Sequence, residues 1–240
     1  MPPFKFKQFS IAQDKCAMKI GTDGVLLGAW ATIDNNPNSI LDIGTGTGII
    51  ALMLAQRSNA EQIDALEIDD DAYEQAVDNF ENSPWGDRLF CYHAGLDEFV
   101  EEMQGEEVYD IIVSNPPFYS EDYTTGNIQR DTARFTTSMP FEELAEAASL
   151  LLNPNRGIFS VILPYKEEEN FITIAKAFNL HPNKITRVKG TPETAVIRSL
   201  MAFTKQATKN PVTDELIIET ARHQYTPAYI TLTKDFYIKM

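Results

Sequence analysis

The sequence predicts an α/β protein whose seven-stranded, mostly parallel sheet carries helices on both faces and ends in an antiparallel C-terminal hairpin. Three observations predict it. Short apolar runs alternate with longer helix-period runs along most of the chain, the pattern of parallel strands joined by right-handed crossovers. A strand at 39–43 runs straight into Gly44-Thr45-Gly46-Thr47-Gly48 and then a helix pattern, a Rossmann-like entrance where backbone N–H groups approach a ligand. Further on, Ile111-Ile112-Val113 reads as a strand buried on both faces, stopped by Asn115-Pro116-Pro117-Phe118.

Taken in order, residues 4–11 alternate weakly, as a strand or as an arm laid over the domain. Cys16-Ala17-Met18-Lys19-Ile20-Gly21-Thr22-Asp23-Gly24 leads into an apolar helix-like run at 25–31. Gly21 and Gly24 flank Thr22-Asp23, a turn able to present polar groups, or equally an ordinary loop capped at a helix start. The glycine turn is followed by a helix at 49–56 and a strand at 63–67. The next helix, 69–82, starts with acids that complement its dipole. A third strand at 89–93, a short helix at 99–104 and the fourth strand follow. The polar stretch 121–137, with Arg130, Asp131, Arg134 and Phe135, is long enough to act as a lid. Pro140 opens a helix through 152; strand 157–163 and helix 167–178 follow. Strands at 184–189 and 195–204 form the hairpin, an edge strand is placed at 215–219, and a helix at 229–236 closes the chain. There is no internal repeat. One domain spans 1–240, with an N-terminal arm over about residues 1–30.

Composition narrows the function. The start Met1-Pro2-Pro3-Phe4-Lys5 lacks the apolar core of a signal peptide, and no apolar run approaches the ~18 residues of a membrane span. Two distant cysteines, Cys16 and Cys91, fit neither a disulfide framework nor a zinc site, which points to reduced thiols in the cytoplasm. The net charge of −15 argues against nucleic acid, but the charge is uneven. Between Asp34 and Asp122 only Arg57 and Arg88 are basic, whereas Lys184, Arg187, Lys189, Arg198, Lys205 and Lys209 face only Glu193 between His181 and Asn210. One face can be basic in an acidic molecule.

The chemistry at the two loops is specific. Asn115 offers an amide oxygen, Pro116 a carbonyl and Phe118 an aromatic face: two acceptors and a platform for a planar group bearing an NH2. Accepting both amino hydrogens turns the nitrogen lone pair outward and makes it a nucleophile. The glycine turn departs from G-x-G-x-x-G, since its third glycine comes one residue early, and it has no Walker lysine. Asp42 would repel a pyrophosphate, so the expected ligand has an amino group or a positive charge. Glu67 ends the second strand where such folds hold ribose hydroxyls.

On these residues the chain resembles a class I S-adenosylmethionine-dependent methyltransferase acting on an amino group. Phe6-Lys7-Gln8-Phe9, the run Cys16 to Trp30, Ser83-Pro84-Trp85, Gln129-Arg130, Ala133-Arg134 and Tyr229 to Thr233 extend the likeness over nearly the whole chain to the bacterial tRNA(Val) adenine-N6 methyltransferase family. The resemblance implies that Asp42, Gly44, Thr45, Gly46 and Gly48 hold the methionine part of S-adenosyl-L-methionine. Glu67 would hold its ribose, and Lys19, Gly21, Thr22 and Asp23 would close over it. It implies catalysis at Asn115, Pro116, Pro117 and Phe118 by direct displacement, without metal. Arg130, Arg134, Lys184, Arg187 and Lys189 would contact tRNA, and the chain is expected to act as a monomer. Two departures stand out. Relatives typically carry Ala-Asp-Ile at the end of the third strand, where the Asp contacts the cofactor adenine and this chain has Ala94-Gly95-Leu96; either Asp97 substitutes from a shifted position or that contact is lost. Phe118 stands where relatives often have Tyr. Competing readings are a protein glutamine or ribosomal RNA amino methyltransferase, and a non-catalytic nucleotide-binding module.

Overall fold

Apolar side chains on both faces of the same strands place the sheet at the centre of the molecule. The computed structural model describes residues 2–103, 105, 109–117 and 139–240. Its main sheet contains β3 (Ser39–Ile43), β4 (Gln62–Glu67), β5 (Leu89–His93), β6 (Ile111–Ser114), β7 (Ile158–Pro164), β8 (His181–Lys189), β9 (Val196–Thr204) and β10 (Val212–Ile217). The spatial order is β10-β8-β9-β7-β6-β3-β4-β5. Strands β5, β4, β3, β6 and β7 are parallel, β9 is antiparallel to β7 and β8, and β10 is parallel to β8.

The sheet therefore has eight strands rather than the seven expected. The eighth is the expected edge strand, displaced to Val212–Ile217 and hydrogen-bonded along β8, with Leu216 opposite Val188. Ahead of the main sheet, β1 (Phe4–Lys5) and β2 (Ser10–Ile11) pair as a small antiparallel hairpin, so the weak alternation at 4–11 is two short strands in a sheet of their own.

Side chains alternate between two cores. Ile40, Ile63, Ile111 and Val113 face one, with α1 (Thr22–Trp30), α2 (Ile49–Arg57) and α3 (Asp70–Glu81). Leu41, Ile43, Leu66 and Ile112 face the other, with α4 (Leu96–Met103), α5 (Phe141–Leu151) and α6 (Glu168–Ala177). Helix α7 (Pro227–Thr233) starts two residues before its expected position, because Thr226 caps it by accepting from the Tyr229 N–H and Pro227 takes the first helical position.

The arm is clasped at both ends of the chain. Phe6 bridges to Tyr237, the Lys7 N–H donates to the Phe236 carbonyl, and Lys7 Nζ donates to the Lys234 carbonyl at 2.6 Å. Phe6 stacks on Phe9 at 4.7 Å between ring centroids, and Phe9 meets Trp85 edge-on at 5.9 Å, which gives Ser83-Pro84-Trp85 its packing role.

Strand order reverses between β3 and β6, since the chain winds outward through β4 and β5 on one side and β7 on the other. At such a switch point the loops at the carboxyl ends of the strands part and leave a crevice. Both candidate loops leave the sheet there.

Candidate active site

The glycine loop is built on three left-handed residues, with φ of 72° at Gly44, 57° at Gly46 and 79° at Gly48. Glycine takes this geometry without steric cost. A Cβ at Gly44 or Gly46 would meet nothing within 4 Å, so the loop lies open, whereas a Cβ at Gly48 would lie 2.5 Å from the Phe80 ring. The loop is fastened to β4, because the Gly44 and Thr45 N–H groups donate to the Leu66 carbonyl at 2.9 and 3.0 Å.

Two acids set its shape from opposite sides. Asp42 is fully buried beneath the loop, where its Oδ2 accepts from Thr45 Oγ1 at 2.6 Å and from the Ala51 N–H at 3.2 Å. Its Oδ1 is buried without a hydrogen-bond partner. Burial pushes the Asp42 carboxyl up to about 7, against the Thr45 and Ala51 hydrogen bonds that favour the charge. Asp42 is thus placed to act through the loop rather than to line its surface. Glu67, at the end of β4, accepts from the Gly46 N–H at 2.8 Å through Oε2, and from the Ile68 and Asp69 N–H groups at 3.0 Å through Oε1. These three donors fix the carboxylate at the carboxyl edge.

The acceptor stub lies on the next strand. Ile43 is opposite Ser114, and Ser114 Oγ donates to the Ile43 carbonyl at 2.9 Å. Gly44 and Asn115 therefore leave adjacent parallel strands side by side, about 5 Å apart. Pro116 is buried and Asn115 half-buried. Phe118, Arg130 and Arg134, and with them the expected lid at 121–137, lie outside the described residues.

Helix α1 begins one turn earlier than the apolar run suggests and includes Thr22 and Asp23. A Cβ at Gly24 would lie 3.2 Å from Ile49 Cγ2, so the first turn of α1 abuts the residue that follows the glycine loop. Gly21 and Thr22 are exposed there. Asp23 instead accepts from Arg198 Nε at 2.8 Å. Lys19 Nζ turns back on its own segment and donates to the carbonyls of Gln13 and, at 2.7 Å, Cys16. Both side chains brace the segment that leads into α1.

At the third strand the departure at Gly95 has a structural counterpart. A Cβ added there would lie 2.8 Å from Asp97 Oδ1 and 3.8 Å from Ile68 Cδ1. The Asp97 carboxylate occupies the space into which a side chain at 95 would project. Helix α4 starts at Leu96, earlier than the expected 99, which lifts Asp97 into its first turn.

The expected RNA-contacting cations are distributed unevenly. Lys184 sits in mid-strand over the Trp30 ring at 4.6 Å. Arg187 and Lys189 lie near the carboxyl end of β8, but Arg187 pairs with buried Glu168 at 2.7 Å and Lys189 with Glu215 at 3.0 Å. The cationic run seen in the sequence is thus neutralised in part by acids remote in sequence.

One residue that links these parts was not singled out from the sequence. Asn79 accepts from the Ala12 N–H at 2.8 Å and donates to the carbonyls of Ala12 and Thr47 at 2.9 Å, tying arm, α3 and glycine loop together. Gln75, one turn earlier, accepts from the Lys15 N–H at 3.0 Å. The available signal was the position of two amides on the stripe Ala72, Gln75, Ala76, Asn79, Phe80, the buried face of α3.

Comparison with known proteins agrees with this geometry. Residues 21–139 match the family model described as a methyltransferase small domain. A tRNA1(Val) (adenine(37)-N6)-methyltransferase of Flavobacterium johnsoniae is 68% identical over 237 residues, covering 99% of this chain and 100% of the relative. The chain belongs to the tRNA1(Val) (adenine(37)-N6)-methyltransferase family. Its members of that name in Phocaeicola vulgatus and Pectobacterium carotovorum are 46% and 42% identical, over 100% and 99% of this chain and 99% and 94% of theirs. The likeness read from the sequence motifs is therefore the right one.

Solved structures share the family's fold at much lower identity. A protein from Agrobacterium tumefaciens described as a predicted O-methyltransferase superposes with a TM-score of 0.71 at 20% identity, covering 89% of this chain and 96% of its own. TYW2 of Pyrococcus horikoshii, solved in complex with MeSAdo, gives 0.56 at 16% identity over 85% and 71%.

Among the described residues no cluster of His, Cys, Asp or Glu could hold a metal ion, and no helix is long and apolar enough to cross a membrane. An S-adenosylmethionine fits the crevice. The space above Gly44 and Gly46 is open, Glu67 ends β4 with a carboxylate held beside the glycine loop, and the loop carries no lysine for a pyrophosphate.

Proposed function

We propose that this chain transfers a methyl group to the exocyclic N6 of an adenosine in tRNA, adenosine 37 of the valine tRNA named for its relatives. The observation that carries the reading is the register of Ile43 with Ser114, which sets the glycine loop beside the Asn115-Pro116 acceptors. A nucleophile held on one strand end is brought against a methyl donor held on the next.

S-adenosylmethionine, when bound, supplies a methyl group already activated by its sulfonium. The protein's work is then alignment and exclusion of water. The Asn115 amide oxygen and the Pro116 carbonyl accept the two amino hydrogens of the adenine, and the ring lies on Phe118. Pro117 keeps the stub extended. Glu67 accepts from the ribose hydroxyls, Gly44 to Gly48 lie against the methionine part, and Gly21 and Thr22 cover it. Asp97 takes the adenine contact that Gly95 cannot make. Replacing Asp97 by Ala should then weaken binding of the methyl donor about tenfold, the cost of one hydrogen bond to a charged group. Arg130, Arg134, Arg187 and Lys189 border the RNA.

The direct test is methyl transfer from labelled S-adenosylmethionine to unmodified tRNAs, with the product nucleoside identified. N6-methyladenosine in the valine tRNA alone is expected. Incorporation into protein glutamine instead, with no labelled tRNA, would overturn the reading while leaving the cofactor site intact.

A further inference from the structure

Tyr165 stands one strand away from the acceptor stub. Strands β6 and β7 are parallel neighbours with Ser114 opposite Val161, so Asn115 is level with Ile162, while β7 continues to Pro164; Tyr165 is thus one strand over, about 5 Å, and three residues, about 10 Å, further out beyond the same edge of the sheet. Tyr165 is the first residue past β7 and is 40% exposed. A single exposed ring is ordinary on a protein surface. What distinguishes Tyr165 is how it is held.

The Arg187 guanidinium carbon lies 5.5 Å from the Tyr165 ring centroid. That guanidinium is fixed in turn: Nη2 donates to Glu168 Oε1 at 2.7 Å, and Nε donates to both carboxylate oxygens at 3.2 Å. Glu168 is buried, and its Oε2 also accepts from the Ser199 hydroxyl. Ring and cation are therefore set in place by a buried anchor before any ligand arrives, since the cation's attraction for the ring face holds the ring in one orientation.

We propose that Tyr165, backed by Arg187, is a stacking platform for a nucleobase next to the target adenosine. The proposal rests on the reading of the site as acting on an adenosine in tRNA. Turning one base out of a loop unstacks its neighbours, and proteins that hold single-stranded RNA take such bases on aromatic rings and guanidinium planes. A ring just past the neighbouring strand and about 10 Å further out from the stub is within reach of a nucleotide adjoining the target. The partner it fits is an unpaired RNA loop, because a duplex offers no free base face. Tyr165 is accordingly a positioning residue: it holds the loop while Asn115 and Pro116 hold the amine.

The test separates binding from chemistry. With full-length protein and saturating S-adenosylmethionine, Tyr165→Ala and Tyr165→Leu should each raise KM for the tRNA about tenfold, the loss of one base stack. Turnover at saturating tRNA should stay within about twofold, and Tyr165→Phe should behave as wild type. An anticodon stem-loop carrying 2-aminopurine beside the target should be quenched on binding to wild type and to Tyr165→Phe, but not to Tyr165→Leu. Unchanged KM and unchanged quenching in both ring-less variants, on an RNA that wild type methylates, would overturn the platform alone. Wild-type protein that binds S-adenosylmethionine yet methylates no RNA would overturn the reading of the site, and the platform with it.

Discussion

The two sides of the sheet use charge differently. Around β3 and β4 the acids Asp42 and Glu67 are spent on backbone N–H groups: Ala51, Gly46, Ile68 and Asp69 all donate to them. Around β8, β9 and β10 charged side chains answer one another, Arg187 to Glu168, Lys189 to Glu215 and Arg198 to Asp23. A site made from backbone needs particular residues at fixed local spacing, glycines at positive φ and an acid at a strand end. A surface made from side-chain pairs needs only that two charges meet, wherever in the chain they come from.

The largest expected effect tests whether the junction of the two sides performs the chemistry. Asn115→Ala should cut single-turnover methyl transfer at least ~100-fold while calorimetry finds S-adenosylmethionine binding nearly intact, the loss of one contact to developing charge. Near wild-type turnover would remove the stub from the reaction. Next comes the backbone itself. Gly48→Ala combines a φ of 79° with a Cβ 2.5 Å from Phe80 and should destabilise by about 2–4 kcal/mol. Gly21→Ala, with extended backbone and no neighbour within 4 Å, should stay within about 0.5 kcal/mol. Denaturant titration of the pair measures how far the loop depends on glycine.

On the other side, Arg187→Ala leaves Glu168 buried with Ser199 as its remaining side-chain donor. Because Arg187 itself is 39% exposed, the loss should be about 1–3 kcal/mol, below that of a fully buried pair, and should appear in thermal unfolding as a fall of several degrees. Lys189→Ala, which breaks a partly exposed pair with Glu215 in which neither partner is buried, should cost less, up to about 1 kcal/mol. Equal losses in the two variants would erase the distinction between a pair anchored on a buried carboxylate and one whose acid is exposed.

The pH dependence sharpens the backbone side. Burial raises Asp42 from 3.8 to about 7, so the folded state holds its proton over a range where the unfolded chain has released it. This contribution to stability is complete below about pH 4 and is lost as pH rises towards 7, at up to about 1.4 kcal/mol per pH unit. Asp42→Asn should remove that part of the slope in denaturation measured from pH 4 to 8; an unaltered slope would assign it to other groups.

These contrasts explain what was legible in the sequence. Strands Ser39–Ile43 and Leu89–His93 and the glycine loop follow from local pattern, because apolar alternation and positive-φ glycine report on their own neighbourhood. Helix α4 starts at Leu96 rather than at 99, because its first turn follows Gly95 directly and carries too few apolar positions to show a period. The partner of Asp23 lies 175 residues away, and nothing near either residue announces it. Lys184, Arg187 and Lys189 look like a free cationic run because the acids that neutralise two of them belong to α6 and β10. Asn79 could have been suspected from its place on an otherwise apolar stripe, but its reach to Ala12 and Thr47 could not.

The clasp between the arm and the far end of the chain also bears on how the protein is made. Lys7 and the carbonyl it grips at Lys234 are separated by 227 residues. Domains emerge and fold from the N-terminus during synthesis, at about 5–20 residues per second, so the arm waits many seconds for this partner. Until then Phe4 and Phe6 have no Tyr237 beside them, and the arm that reaches Asn79 lacks its second anchor. The hold of the arm on the glycine loop is thus among the last contacts to mature, and a nascent chain acquires its central sheet before it acquires a finished entrance for the methyl donor.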